Sequence, residues 1–392
     1  MPAAVDIPLP RTISHQKEQD DTMDLPYRLK NSMTVTEWDP TQFFREGYPS
    51  SPYALLILNH PINEKAYDVL QRHACITVCA DGGANRFYEM MKARGRESTD
   101  FPSAIIGDLD SIHPEIRTHY ETLGVPVIQH IDDYSTDFHK SLQYIQRNTA
   151  TILAAAAAPT PSSSSTPPPP PPPSNSATTT KPTSTSISHS QHPPKSLEIL
   201  VLGGLGGRVD QAFSQIHHLF YMTQELRATT ATSSSDSSTD EPQSQPQGHQ
   251  NPGPNLYLIS EESITFILRP GRNIVQTPLV NRPAPAPTSN HDDDDDDNAD
   301  QKIIPEVQSS TTTTTTTTTA ETHLLEENVG IIPLLGPARI TTAGFQWDVR
   351  DWRTEIGGQL STSNHIRADM VEVEAKMPVL LTLELAERFK KK

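Results

Sequence analysis

The sequence predicts an α/β domain, a mostly parallel sheet with helices on both faces, followed by an all-β sandwich domain. Three observations carry this. Between about residues 36 and 262, short apolar runs alternate five times with stretches of helical spacing, the pattern of parallel strands joined by crossover helices. From Ser263 onward the runs are short, rich in β-branched residues and bounded by Gly, Pro and Asn, and no helix is evident before the basic C-terminal end. Several runs of the first half also stop at turns rich in Gly and Asp, and the carboxyl edge of an open α/β sheet is where ligands bind.

Tyr53–Leu58 is a buried strand that ends at Asn-His-Pro, and Glu64–His73 has helical spacing through Ala66, Val69 and Leu70. Cys75–Ala80 is the next strand and runs into Asp81-Gly82-Gly83, ahead of a helix over Asn85–Arg94. Two glycines there either let backbone approach a ligand closely or simply make a tight turn. Ser103–Ile106 is the third strand and ends at Gly107-Asp108-Leu109-Asp110. Carboxylates one residue apart repel unless a cation sits between them, so the turn is a divalent-metal candidate; a solvated acidic turn is the alternative. Pro114–Leu123 reads as a helix opened by proline, and Val125–Gln129 as a fourth strand. A helix then starts near Ser135 and runs to about Asn148, with Ser135 and Asp137 in its first turn and Lys140 one turn on. Leu197–Leu202 leads into Gly203-Gly204-Leu205-Gly206-Gly207-Arg208-Val209-Asp210 and a helix over Gln211–Leu226. That turn is neither a Walker loop nor a dinucleotide fingerprint. It combines a cation, Arg208, with an acid, Asp210. Leu256–Ile259 is a sixth strand, and Thr265–Leu268, Gly330–Leu334, Arg339–Thr342, Trp347–Val349, Met370–Glu374 and Val379–Leu383 are the β runs of the second half.

Much of the 392-residue chain lacks the apolar surface to order itself. Residues 1–35 read as a polar tail, and 155–195, 228–254 and 284–323 as disordered insertions holding the Pro167–Pro173, Asp292–Asp297 and Thr311–Thr319 runs. The division expected is therefore tail 1–35, α/β domain 36–262 and sandwich 263–392. Just over half of the net charge of −17 falls in the insertions, and no basic stripe exists, which argues against a nucleic-acid partner. No apolar run is long enough to span a membrane, and Met1–Lys30 has no signal-like apolar core. Cys75 and Cys79, placed on one face of a strand over His73–Ala80, sit roughly 13 Å apart and read as reduced thiols of a cytoplasmic protein.

Taken together, ADGGANR (Ala80–Arg86), IIGDLDSI (Ile105–Ile112), STDFHKSL (Ser135–Leu142), LGGLGGRVDQ (Leu202–Gln211), IIPLLGPARITTAGFQWDV (Ile331–Val349) and GGQLSTSNHI (Gly357–Ile366) resemble the thiamine pyrophosphokinases in order and spacing. The resemblance implies Mg²⁺-dependent transfer of pyrophosphate from ATP to thiamine, by a homodimer with active sites between its subunits. One departure is Asp132-Asp133-Tyr134, where the family often has Asp-Gln-Asp. The insertions are another.

Under that resemblance Asp81, Asp108, Asp110 and Asp137 converge from neighbouring strand ends to hold Mg²⁺. Arg208 and Lys140 meet phosphate, and Gly82, Gly83, Gly204 and Gly206 let backbone N–H groups approach. Thiamine, a thiazolium cation joined to a flat aminopyrimidine, calls for an aromatic face, polar side chains and a nearby acid. Trp347 offers the first, Ser361, Ser363 and Asn364 the second, and Asp210 the third. Without the resemblance, Trp347 reads more readily as sandwich core and the Ser-Thr-Ser-Asn run as a turn. Other Asp-x-Asp metal enzymes leave Ser111 or the Gly-Gly-Arg-x-Asp turn unexplained, and a non-catalytic thiamine- or nucleotide-binding regulator has no need of four carboxylates.

Overall fold

A computed structural model describes residues 35–132, 135–157, 196–232, 255–282 and 322–391, with the backbone alone over 224–232. The expected tail up to residue 34, the Asp133-Tyr134 departure and nearly all of the three expected insertions lie outside the described residues.

The body opens with β1 (Val35–Trp38) and a 3-10 turn (Pro40–Phe44). It continues through β2 (Tyr53–Ile57), α1 (Glu64–Leu70), β3 (Ile76–Ala80), α2 (Gly83–Ala93), β4 (Ala104–Gly107), α3 (Pro114–Thr122) and β5 (Val127–Gln129). Next come α4 (Asp137–Arg147), α5 (Thr149–Ala157), β6 (Glu198–Leu202), α6 (Val209–Thr232) and β7 (Leu256–Ile259). The C-terminal part is all strand: β8 (Ser263–Leu268), β9 (Gly271–Gln276), β10 (Leu325–Pro333), β11 (Ala338–Ala343), β12 (Trp352–Thr354), β13 (Ser361–His365), β14 (Met370–Ala375) and β15 (Val379–Leu385).

These strands form a ten-stranded sheet in the order β13-β10-β15-β8-β7-β6-β2-β3-β4-β5 and a five-stranded sheet in the order β1-β9-β14-β11-β12. From β7 to β5 all pairing is parallel; from β7 to β13 it is antiparallel. The change of pattern at Ser263 is thus the change of strand polarity, but the sheet does not break there. The last strand, β15, lies between β8 and β10.

All five residues of β2 and of β6 are buried, as expected of strands covered on both faces. One face carries Tyr67 and Leu70 of α1, Phe87 and Met91 of α2, and Ile116 and Tyr120 of α3. The same face continues over the antiparallel half, where Val275, Ile340, Val371 and Val373 of the small sheet pack on Phe266, Val329 and Leu381. Trp38 seals this sandwich, its ring 5.0 Å from that of Phe266 and its indole N–H on Asn273 at 3.0 Å. The opposite face carries Phe138, Leu142 and Ile145 of α4, Ile152 of α5, and Leu219 and Met222 of α6. The α/β half with helices on both faces and the β-rich C-terminal half are as expected.

Several local expectations need correction. Trp347–Val349 is a turn, held by the Asp348 carboxylate, which accepts from Thr342 Oγ1 at 3.0 Å and from the N–H groups of Gly344 and Phe345 at 3.0 and 3.2 Å. The strand comes later, at Trp352. Cys75 precedes β3 and packs against the opposite face from Cys79, because the strand begins only at Ile76. Helix α6 extends past Leu226 to Thr232, and α5 runs to Ala157, each entering a segment expected to be unstructured.

One buried acid gives a stability prediction. Glu198, at the start of β6, accepts hydrogen bonds from the backbone and side-chain amides of Asn255. Burial pushes its pKa up to about 7, against the opposing pull of Asn255 and Arg269. A raised carboxyl binds more protons folded than unfolded, so its contribution is full below the unfolded value and is lost as pH rises towards 7. Glu198→Gln is expected to remove a decline on the order of 1–3 kcal/mol between pH 4.5 and 7 in chemical denaturation. An unchanged pH slope would refute it.

Candidate active site

Parallel pairing brings the ends of β2, β3, β4, β6 and β7 to one edge of the large sheet. The acids gather there. One carboxylate oxygen from each of Asp81, Asp108 and Asp110 can be chosen so that all three lie within 4.8 Å of one another. Asp81 is buried and has a φ of 38°; Leu109, between the other two acids, has a φ of 66°. Left-handed backbone in a residue with a Cβ costs about 1–3 kcal/mol and persists where surroundings impose it. Here Asp81 imposes it, because its two oxygens accept the N–H groups of Ser111 and Ile112, each at 3.0 Å. Asn85 of α2 adds a second clamp, donating to Ser111 O at 2.9 Å and accepting from His113 N at 3.0 Å.

Asp137 opens α4, whose N-cap Thr136 accepts from His139 N at 3.2 Å. Its Oδ1 receives the N–H of Asp108 at 3.1 Å and the Lys140 ammonium at 3.2 Å. Lys140 also reaches Asp108 Oδ2 at 3.2 Å, with its side chain only 1% exposed. The sequence expectation set Lys140 against phosphate; the structure sets its ammonium behind the acids.

The electrostatics follow from this arrangement. Burial pushes Asp81 up to about 6, helped by the charges of Asp137 and Asp108 and opposed by the two N–H groups it accepts. Asp108 is held below its ordinary value: partial burial pulls it up, but Lys140 and the N–H of Asp110 more than offset that. Burial likewise works against the Lys140 charge, and Asp137 and Asp108 outweigh it, so its pKa is raised.

The donor set is three carboxylates without His or Cys, which suits a hard cation of the Mg²⁺ type. Gly107 keeps the space between the acids open, since a Cβ there would lie 2.6 Å from Asp81 Cβ and 3.0 Å from Asp137 Oδ1. These residues fit such an ion. Gly83 is required for packing. A Cβ on it would meet Ile57 O at 2.3 Å, so α2 can press on β2 only through glycine. Gly83→Ala is expected to cost at least about 1–3 kcal/mol of stability in thermal unfolding. A melting temperature equal to the parent's would count against this contact.

The Gly-rich turn after β6 lies beside the loop that leaves β2. Leu205, with a φ of 57°, donates its N–H to buried Gln215 at 2.5 Å, next to Gly204. Arg208 makes a two-pronged contact with Asp210, Nε to Oδ1 at 3.1 Å and Nη2 to Oδ2 at 2.5 Å, and both side chains are exposed. An exposed pair of this kind is weak, so the guanidinium can exchange its partner for an anion. The loop from β2 carries Asn59, whose Oδ1 accepts from Arg86 Nε at 3.2 Å, and His60. Sequence reasoning assigned no role to Asn59, His60, Asn85 or Gln215. Only their position just beyond strand ends or in the first two turns of helices could have marked them.

The other expected residues lie elsewhere. Trp347 is 54% exposed, so it is not sandwich core. Buried Asn364 holds its turn, accepting from Trp347 N at 3.1 Å and donating to Trp347 O at 2.9 Å. Ser361 and Ser363 lie on β13, a strand rather than a turn. A groove of about 640 Å³ runs from Leu205 past the β7–β8 turn to Thr362 and Ser363. By strand order, however, β13 stands eight steps from β4, on the order of 35 Å along the sheet. Within one chain the acids and the Trp347–Ser363 group are not brought together.

Two family models match this chain. One, thiamin pyrophosphokinase, catalytic domain, covers residues 67–230; the other, thiamin pyrophosphokinase, vitamin B1 binding domain, covers residues 310–380. Together they take in more than half of the sequence. A curated relative from Oryza sativa subsp. japonica, thiamine pyrophosphokinase 1, is 24% identical over 349 residues, 86% of this chain and 88% of that protein. Thiamine pyrophosphokinase of Saccharomyces cerevisiae is 30% identical over 174 residues, 43% of this chain and 54% of that protein. Among solved structures, thiamin pyrophosphokinase from Candida albicans superposes with a TM-score of 0.56 at 20% identity, covering 91% of this chain and 95% of that one. The yeast enzyme gives 0.57 at 17% identity, covering 92% and 96%.

Proposed function

The chain belongs to the thiamin pyrophosphokinase family and makes thiamine diphosphate from thiamine, and on that premise we propose that it takes the pyrophosphoryl group from ATP, releases AMP, depends on Mg²⁺ and works as a homodimer. The observation that carries this reading is the convergence of Asp81, Asp108 and Asp110 at the ends of β3 and β4, backed by Lys140.

The reaction asks the protein mainly to align an alcohol with the β-phosphorus and to offset charge. Asp81, Asp108 and Asp110 would hold Mg²⁺, and Asp137 orients Asp108 and Lys140. Bound there, Mg²⁺ would neutralise phosphate charge and help align the reacting oxygens. Lys140 tempers the repulsion among the acids without entering solvent. Arg208 leaves Asp210 for a phosphate, and Asp210, freed, turns towards the thiazolium cation. Trp347 offers its exposed face to the aminopyrimidine, with Ser361 and Ser363 alongside, while Asn364 positions the Trp347 turn.

The homodimer reading rests on distance. A thiamine contact on β13 and an acid after β4 meet around one hydroxyl only if they come from different copies of the chain. Helix α6 supports it too: Val209, Phe213 and Tyr221 are 70%, 62% and 43% exposed at spacings of four and eight, an apolar stripe beginning at the Arg208 turn. The free thiols Cys75 and Cys79 favour a cytoplasmic location. Among the described residues no helix is long and apolar enough to cross a membrane.

The test is AMP formation from ATP, followed with thiamine and Mg²⁺ each present or withheld. The reading requires both. AMP release that ignores thiamine, or survives full chelation, would sink it.

A further inference from the structure

We infer that His60, in the loop after β2, is a binding residue for the polyphosphate of the nucleotide; this deepens the ATP reading above and rests on it.

The argument begins with strand order. Strands β2, β3, β4 and β5 progress to one side, and the chain then returns to place β6 on the other side of β2. The crevice outside the ends of β2 and β6 is therefore the topological switch point, where open α/β sheets bind ligands. Its walls are the loop after β2 and the Gly203–Gly207 turn.

His60 is built into that crevice. Its backbone is turned sharply by a hydrogen bond from His60 N to Leu58 O at 2.8 Å, while Leu58 N is anchored on Leu202 O at 2.9 Å. The Gly-rich turn closes directly over it. A Cβ on Gly203 would lie 3.0 Å from Leu58 O and 3.2 Å from His60 O. A Cβ on Gly207 would lie 2.8 Å from His60 Cε1. Gly207 has a φ of 71°, so the turn is shaped by glycine and seated against the imidazole.

The neighbouring residue extends the same device to the metal side. A Cβ on Gly82 would lie 2.4 Å from Asn59 Nδ2, so Asn59 fills the space beneath the turn that follows Asp81. The dipeptide Asn59-His60 thus bridges the glycines beside the acids and the glycines beside Arg208. A polyphosphate running from the acids to Arg208 has to cross it. Asn59 is engaged by Arg86, whereas the half-buried His60 ring has no hydrogen-bond partner among the described residues. An imidazole N–H seated beside the Gly-rich turn, without a partner among the described residues and between the candidate metal site and a guanidinium, is suited to donate to a phosphate oxygen.

The experiment compares His60→Leu, which keeps bulk against the glycines but has no donor, with His60→Gln, which keeps a donor. Isothermal titration uses the Mg²⁺ complex of α,β-methylene-ATP, with tripolyphosphate and adenosine as separate probes. Loss of one hydrogen bond to a charged group predicts a Kd for the nucleotide and for tripolyphosphate raised about tenfold in His60→Leu. His60→Gln is expected to stay within about threefold of the parent, and adenosine binding to be unchanged in both. Equal affinity in the parent and His60→Leu overturns the inference. So does an equal loss in both variants that extends to adenosine, since that marks packing alone. Failure of the parent to bind the nucleotide at all overturns the ATP reading, and this inference with it.

Discussion

Asp108→Asn is expected to lower turnover on the order of 10²–10³-fold while the protein remains folded. The substitution removes one of three carboxylates that share a space less than 5 Å across and leaves the others in place. It also leaves Lys140, nearly inaccessible to water, with Asp137 as its one remaining acid. The cost to the fold is modest, because the Asp108 side chain is 42% exposed and its backbone contacts to Asp137 and Gln129 do not need the carboxylate. A fall of a few degrees in melting temperature is expected, against a large loss of rate. Activity near the parent's at saturating Mg²⁺ would remove Asp108 from the metal site. Unfolding at 25 °C would show that the acid is structural.

The second large effect is a recovery. Asp108→Asn in one chain and Trp347→Ala with Ser363→Ala in another are each expected to be inactive alone. If the thiamine contacts of one copy serve the acids of the other, a mixed dimer keeps one intact site, made from the unaltered acids of the second chain and the unaltered Trp347 of the first. Equal mixing makes half of the dimers mixed, so about a quarter of parental activity returns. No recovery, with subunit exchange demonstrated by differently tagged chains, would mean that each site is completed within one chain. The strand order, with β13 eight steps from β4, makes that outcome hard to build.

The sequence was most informative where burial leaves little choice. Strands β2, β4 and β7, and β6 after Glu198, are apolar because both faces are covered, and their ends were legible to within a residue or two. The acids were legible for a related reason, since carboxylates directly after a buried strand can only sit at its end. The β half was harder to read. Strand β13 is Ser-Thr-Ser-Asn-His at the sheet's edge, with a single buried residue, so it carries no alternation to detect. Strand β1 is four residues long, and what holds it is pairing with β9, more than 230 positions away, which no local pattern reports. His60 escaped for another reason. Its importance comes from glycines far along the chain that leave room for its ring.

The placement of β15 has a consequence for how the chain is made. This strand, which follows all the others in sequence, fills the gap between β8 and β10. While a ribosome is still extending the chain, β8 therefore presents an open edge, and β10 with β13 is tied to the body only at Leu324 and Leu325, through the Leu279–Asn281 segment. The α/β half shares its sheet with that open edge, whereas an independent N-terminal domain would have a sheet of its own. The sheet closes only once residues 379–385 have emerged. A chain cut short by even this one strand is left with an unprotected β edge, and quality control acts on chains of that kind.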